Sequence, residues 1–243
     1  MTYSISMTNV SYAYGKKEAL RGINAQIPAG TITGLLGRNG SGKSTLAMLL
    51  AGQMKAEGEL LVNGTSPWEN PEIMPNTVLV SDSTSIFLDN KLGRSSELWR
   101  NSRPNWDEDL YNELLDMWQL SEKDTYSSLS RGQQSAFVAA LGLASQGELT
   151  IFDEVHLGMD VVVRQEFYDA MLASFVKKPR TIILSSHLVS EIENLIEEVL
   201  IVDRGKLIAA GFADDLREEH GQDGAQASLT DVLINLTGKR IGK

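Results

Sequence analysis

Residues 37–45 read GRNGSGKST, which is G-x-x-x-x-G-K-[ST] with a short branched run, TITGLLG, ending on its first glycine. A strand that breaks on glycine and reopens as a helix turns successive backbone N–H groups inward, making a nest for an anion. Gly37, Gly40 and Gly42 give that curl. Lys43 can bridge outer phosphates, and Ser44 can offer its hydroxyl to Mg²⁺. A second constellation lies in LTIFDE (149–154), where Asp153 and Glu154 close an apolar run. Two carboxylates at a strand end are costly unless they meet water or a cation. With a phosphate loop upstream, Asp153 reads as the Mg²⁺ holder and Glu154 as the group that polarises an attacking water. A third apolar strand, in RTIILSSH, ends on His187. His187 follows the same architecture as Asp153 and Glu154, and ligand sites are expected beyond the carboxyl ends of parallel strands. His156 and His220 lack such a setting and read as turn or surface residues.

The elements that position these groups follow from periodicity. SGKSTLAMLLAG (41–52) reads as a helix with Leu46, Leu49 and Leu50 on one side and Gly52 as its stop. Tyr3, Ile5 and Met7 alternate with polar residues at the period of a strand. From Ile86 to Leu129 the pattern turns helical and aromatic. NWDEDLYNELLDMWQL opens on an Asn105/Glu108 capping box, with Leu110, Leu114 and Trp118 on one face. After Ser130, helical stretches (SRGQQSAFVAALGLA, VVVRQEFYDAMLASF with Val163, Phe167 and Met171 in line, LVSEIENLIEE) alternate with strands. VLIVDRGKLIAAG is strand, tight turn, strand, and SLTDVLINLTG (228–238) is a last amphipathic helix. Such alternation predicts a mainly parallel sheet covered on both faces.

The stretch LSRGQQ (129–134) poses a question. Ser130 and Gln133 form a capping box, yet Gly132 weakens a first helical turn by about 1 kcal/mol against Ala. An exposed helix start binds phosphate, which would account for a bare first turn.

The 243 residues carry a net charge of −10 and no cysteine. That charge argues against a protein that grips nucleic-acid backbones. Without cysteine there is neither a disulfide framework nor a thiolate metal site. The amino-terminal stretch lacks a secretory pattern, and no apolar run approaches the roughly 18 residues of a membrane span. A membrane role would need a span from another chain.

Together these motifs resemble the ATP-binding cassette (ABC) ATPases over nearly the whole chain. The order is phosphate loop, helical insert, LSRGQ signature, FDE, LGMD loop, then SSH. The likeness is strongest to subunits of bacterial exporters of the bacitracin and antibiotic type. The resemblance implies an α/β, RecA-like P-loop NTPase core with an antiparallel N-terminal β part (1–85 and 130–243) and an inserted helical subdomain (86–129). It implies that ATP lies against Tyr14, Gly37, Arg38, Asn39, Gly40, Ser41, Gly42, Lys43, Ser44 and Thr45. Tyr14 would stack on adenine, with Tyr12 as a rival on the same strand face. Mg²⁺ would sit among Ser44, Asp82 and Asp153; Glu154, His187 and Lys43 would be catalytic. A second cassette, identical or paralogous, would supply Ser130, Gly132 and Gln133 to the γ-phosphate, with Asp160 coupling the two sites. A separate transmembrane permease would hold the chain at the cytoplasmic face of the membrane. Rival readings are a soluble ABC protein acting on ribosomes or DNA, and a non-hydrolysing switch. The chain departs from the family pattern at Asp82 (for glutamine), at Arg131 (for glycine) and at Val155 (for proline). Arg131 could reach a phosphate, an acidic neighbour or solvent.

Overall fold

The computed structural model describes residues 2–81, 84, 87–221 and 225–238. Its strands are β1 (Ile5–Tyr14), β2 (Lys17–Ile27), β3 (Ile32–Leu36), β4 (Glu57–Val62), β5 (Thr77–Ser81), β6 (Leu149–Asp153), β7 (Thr181–Ser186), β8 (Glu198–Asp203) and β9 (Lys206–Phe212). Its helices are α1 (Lys43–Leu50), α2 (Leu92–Ser102), α3 (Glu108–Met117), α4 (Arg131–Ala144), α5 (Val161–Lys177), α6 (Val189–Ile192), α7 (Ala213–Glu219) and α8 (Leu229–Thr237).

A small antiparallel sheet in the order β2-β1-β4 lies beside a six-stranded sheet in the order β5-β6-β7-β3-β8-β9. In the larger sheet every pair is parallel except the β8–β9 hairpin. Each parallel strand splits its residues between two cores. Ile32 and Leu36 face the cluster around α4, whereas Leu35 faces the cluster around α1. That double burial is why these strands read as unbroken apolar runs. The α1 residues Leu46, Leu49 and Leu50 are fully buried under the antiparallel sheet, as their spacing predicts. Gly52 ends the helix at φ +70°, with the Pro67 carbonyl 2.2 Å from where a Cβ would stand.

The strand order reverses around β3. The chain leaves β3 for the far edge at β5 and leaves β7 for the opposite side at β8. A crevice therefore opens beyond the carboxyl ends of β3, β6 and β7, where loops diverge instead of packing.

Between β5 and β6 the chain is helical, with Trp99 and Trp118 buried. The helix start differs from the sequence expectation. Asp107, not Asn105, caps α3, its carboxylate accepting the Leu110 N–H at 3.0 Å. Asn105 instead donates to Asn76 at 3.3 Å, and Glu108 pairs with Arg100 at 2.6 Å. Asn105 and Glu108 are thus taken up by tertiary partners, and the cap falls to Asp107. Arg103 ties this region to the core: its guanidinium lies 5.1 Å from the Trp99 ring and donates to the Met74, Pro75 and Thr77 carbonyls. The helix read across 188–198 shrinks to the single turn of α6, because Ile196 must bend back beneath Gly34 to enter β8. The last helix, α8, forms as read, capped by Ser228 and stopped at Gly238.

Candidate active site

The phosphate-type loop joins β3 to α1 and is set by contacts that exclude side chains. At Gly37 (φ +153°) a Cβ would stand 2.2 Å from the Val202 carbonyl; at Gly42 (φ +115°), 2.8 Å from the Ala19 carbonyl. Gly40 (φ +76°) differs, since the space above it is open for 4 Å. Close packing below and open space above describe a cradle for an anion. Gly42 caps α1 without any side-chain hydrogen bond, and no acidic residue stands in the first turn. The positive end of the helix is therefore left to whatever enters. Ser41 is buried with an unpartnered hydroxyl among the described residues, Thr45 is buried, and Arg38, Asn39 and Ser44 are exposed.

Lys43 is only 4% exposed. Its ammonium donates to the Gly37 carbonyl at 2.9 Å and the Arg38 carbonyl at 3.3 Å, and meets Glu154 Oε1 at 3.1 Å. The same Glu154 oxygen lies 3.2 Å from His187 Nδ1. Lys43, Glu154 and His187, read from three separate stretches, thus converge on one carboxylate. β3, β7 and β6 lie side by side, and that order brings them together. Glu154 adopts a left-handed backbone (φ 53°, ψ 24°), unfavourable for a residue bearing a Cβ. The turn aims its side chain back across the strand ends.

Burial works to raise the Glu154 carboxyl, but the charge and hydrogen bond of Lys43, aided by His187, outweigh it and hold the group below its ordinary value of 4.5. A lowered folded pKa means this stabilisation is complete above the unfolded value and is lost as pH falls through the folded one. Glu154→Gln removes that linkage. We expect its melting temperature to fall less than the parent's between about pH 7 and about pH 3.5. Equal falls in a thermal melt would contradict the pairing.

Asp153 closes β6 in register with Ser81 and Ser185. It is 8% exposed, and its Oδ1 is buried with no hydrogen-bond partner among the described residues. An orphaned carboxylate oxygen is costly to bury, and a hard cation satisfies it. Asp153 and Ser44 line a common cleft of about 520 Å³, so the donor set fits Mg²⁺. Asp82 lies outside the described residues.

Tyr14, not Tyr12, reaches the loop. Tyr14 is 47% exposed and lines a cleft of about 460 Å³ with Asn39, Gly40, Lys43, Ser44 and Thr45. Tyr12 braces it edge-on, with ring centroids 5.0 Å apart. Lys17, Arg21 and Arg204 ring the mouth of the same cleft. Their place was not legible in the sequence, because it depends on the Gly205 N–H donating to the Ser41 carbonyl across distant segments.

The signature begins α4. Ser130 accepts the Gln133 N–H at 3.3 Å, and Gln133 Oε1 accepts the Ser130 N–H at 3.1 Å, so the capping box is closed. Gly132 has a reason within the chain: a Cβ there would stand 3.2 Å from the Gly158 carbonyl. Arg131 is exposed and lines the cleft shared by Ser44, Asp153 and Glu154 of its own chain. Asp160 caps α5, accepting the Val162 and Val163 N–H groups at 2.9 and 3.0 Å. His156 is not a surface residue. It is 3% exposed, with Nε2 3.2 Å from Ser186 Oγ. The sequence offered no local sign of this, since its partner lies thirty residues downstream.

The chain is similar to known proteins over most of its length. The chain is 26% identical over 217 residues to the ABC transporter ATP-binding protein YtrB of Bacillus subtilis (strain 168), covering 89% of this chain and 74% of that protein. It is 28% identical over 256 residues to the daunorubicin resistance ATP-binding protein DrrA3 of Streptomyces coeruleorubidus, covering 97% and 79%. A solved ATP-binding subunit of an ABC transporter superposes with a TM-score of 0.84 at 23% identity over 96% of this chain and 99% of that one, which shows the fold. The ABC transporter family model matches residues 20–156, more than half of the chain, from within β2 to the residues just beyond Glu154. Its fold, its loop and that match together make this chain a member of the ABC transporter family, an ATP-binding and ATP-hydrolysing subunit.

Proposed function

We propose that the chain hydrolyses Mg-ATP at the crevice beyond β3, β6 and β7, and so powers a separate transmembrane exporter from the cytoplasmic face of the membrane. Among the described residues no helix is long and apolar enough to cross a bilayer, so the span falls to a partner. One observation carries the reading: Lys43, Glu154 and His187 meet at 3.1 and 3.2 Å beside the orphaned Asp153 oxygen.

That geometry and the likeness to the family support the following residue roles. Tyr14 stacks on the base, and residues 37–45 cradle the phosphates. Lys43 must leave Glu154 to meet the outer phosphates, which frees the carboxylate to orient a water for in-line attack. His187, bonded to the same Glu154 oxygen, keeps the carboxylate aimed. Ser44 and Asp153, with Asp82, would hold Mg²⁺, which when bound offsets the negative charge of the phosphates.

Two surfaces support the partners. Leu157, Val161 and Val162 are 45%, 72% and 66% exposed around Asp160, an apolar patch suited to cover by a second cassette bringing Ser130, Gly132 and Gln133 to the γ-phosphate. The capping box would then open to the phosphate. A cleft of about 650 Å³ runs from Met48, Met74, Leu98 and Trp99 to Ser44 and Asp153. A permease segment seated there would touch the walls of the metal site, giving a direct route from hydrolysis to movement. Export rests on the likeness of the motifs to subunits of bacterial antibiotic exporters, which a relative named for daunorubicin resistance fits. Purification from detergent-solubilised membranes tests this reading: a multi-span protein is expected to accompany the chain. Recovery of the chain alone, across several detergents, would contradict it.

A further inference from the structure

We propose that His156 is a positioning residue, holding the turn that carries His187 and locking it to the loop that ends at Asp160. The proposal rests on the roles given above to Glu154 and His187.

His156 lies in the single 3-10 turn Val155–Gly158, between Glu154 and Asp160. Its Nε2 is 3.2 Å from the hydroxyl of Ser186, itself fully buried. The same hydroxyl accepts the Leu188 N–H at 2.9 Å, so it grips the backbone on both sides of His187. We assign the hydroxyl proton to the bond with Nε2 and the ring proton to Nδ1, since the hydroxyl already accepts from Leu188. Burial, with the charge of Arg164, lowers the imidazole to about 4, so the ring is neutral near pH 7 and this bond persists. The groups around it are Arg164 and Tyr168 of α5, Glu154 at the end of β6, and His187 after β7.

A second tie runs parallel. Arg164, one turn into α5, meets Glu191 of α6 at 3.2 Å. α5 starts at Asp160 and α6 starts just past His187, so both bonds join the same two segments. On its other side the 155–158 turn abuts α4, where a Cβ on Gly158 would stand 2.2 Å from Ser135 Oγ and 3.0 Å from the Arg131 carbonyl. The loop is held between the signature helix and the His187 turn. A displacement of the exposed residues at Asp160 by a second cassette therefore reaches His187 through His156 and Ser186. The coupling is mechanical, and its readout is turnover, since neither side chain lines the phosphate cradle.

Steady-state ATPase assays on the full chain test this. His156→Phe keeps a planar aromatic ring, somewhat larger than imidazole, but not the nitrogen. We expect kcat to fall about 10-fold with KM for ATP within about twofold, and the melting temperature to hold within a few degrees. His156→Gln, which returns a polar atom near the Nε2 position, is expected to recover to within about threefold of the parent. Adding His156→Phe to Ser186→Ala should cost nothing beyond Ser186→Ala alone, because Ser186→Ala already removes the bond to His156 together with the one from the Leu188 N–H. If His156→Phe fails to fold, the Gln variant and Ser186→Ala carry the test through their kcat values. Parental kcat in His156→Phe, multiplying losses in the double variant, or no recovery with Gln would each overturn the proposal. His187→Ala separates the two levels: unchanged turnover there sinks the site reading itself, whereas lost turnover there with parental His156→Phe sinks only the positioning role.

Discussion

Glu154→Gln is expected to lower steady-state ATP turnover by about 10²–10⁴-fold, the range for loss of a general base, while ATP affinity stays within a few-fold of the parent. The amide matches the carboxylate in shape. Its oxygen can still accept from Lys43, 3.1 Å away in the parent, and the cradle of residues 37–45 is untouched. What disappears is the charge that polarises water. Product release measured against nucleotide binding separates the two effects. Turnover comparable to the parent would remove Glu154 from the chemistry.

Lys43→Ala acts on the other partner of the pair, and the loss should appear in binding as well. Lys43 is 4% exposed and its ammonium is held by two loop carbonyls, so it is already desolvated and kept at the loop before any phosphate arrives. A preorganised charge in such a site is worth more than one in water. Its removal is expected to reduce kcat/KM by about 10²–10³-fold. It also strips Glu154 of the cation that holds its carboxyl low, so Glu154 should titrate at higher pH in this variant. An unaltered kcat/KM would mean that the loop is not the phosphate site.

These expectations were readable early because the phosphate loop is local. Strand, glycines, lysine and helix lie in one stretch; Gly37 and Gly42 have their close contacts in the fold, and Gly40 its positive φ. Asp153 and Glu154 were legible because charge at the end of an apolar strand is anomalous. Residues whose roles depend on distant partners were not. Tyr14 and Tyr12 share a strand face, and only the packing of β1 beside the loop selects Tyr14. His156 looked like a turn residue because Ser186 and Tyr168 arrive from other elements. Gly132 invited a reading as a bare anion site, yet the close approach of the Gly158 carbonyl also favours the absence of a side chain there. The helix read across 188–198 obeyed helical periodicity, but the path into β8 overruled it.

The central claim is that the nucleotide site is completed by the signature helix of a second cassette. The absence of cysteine makes this directly measurable, because any introduced thiols are the only ones present. With Asn39→Cys on the phosphate loop and Arg131→Cys beside Ser130, in the Glu154→Gln background, a short thiol cross-linker should join two copies when Mg-ATP is present and leave them separate without it. Failure to join with ATP, or equal joining with and without it, would contradict the account.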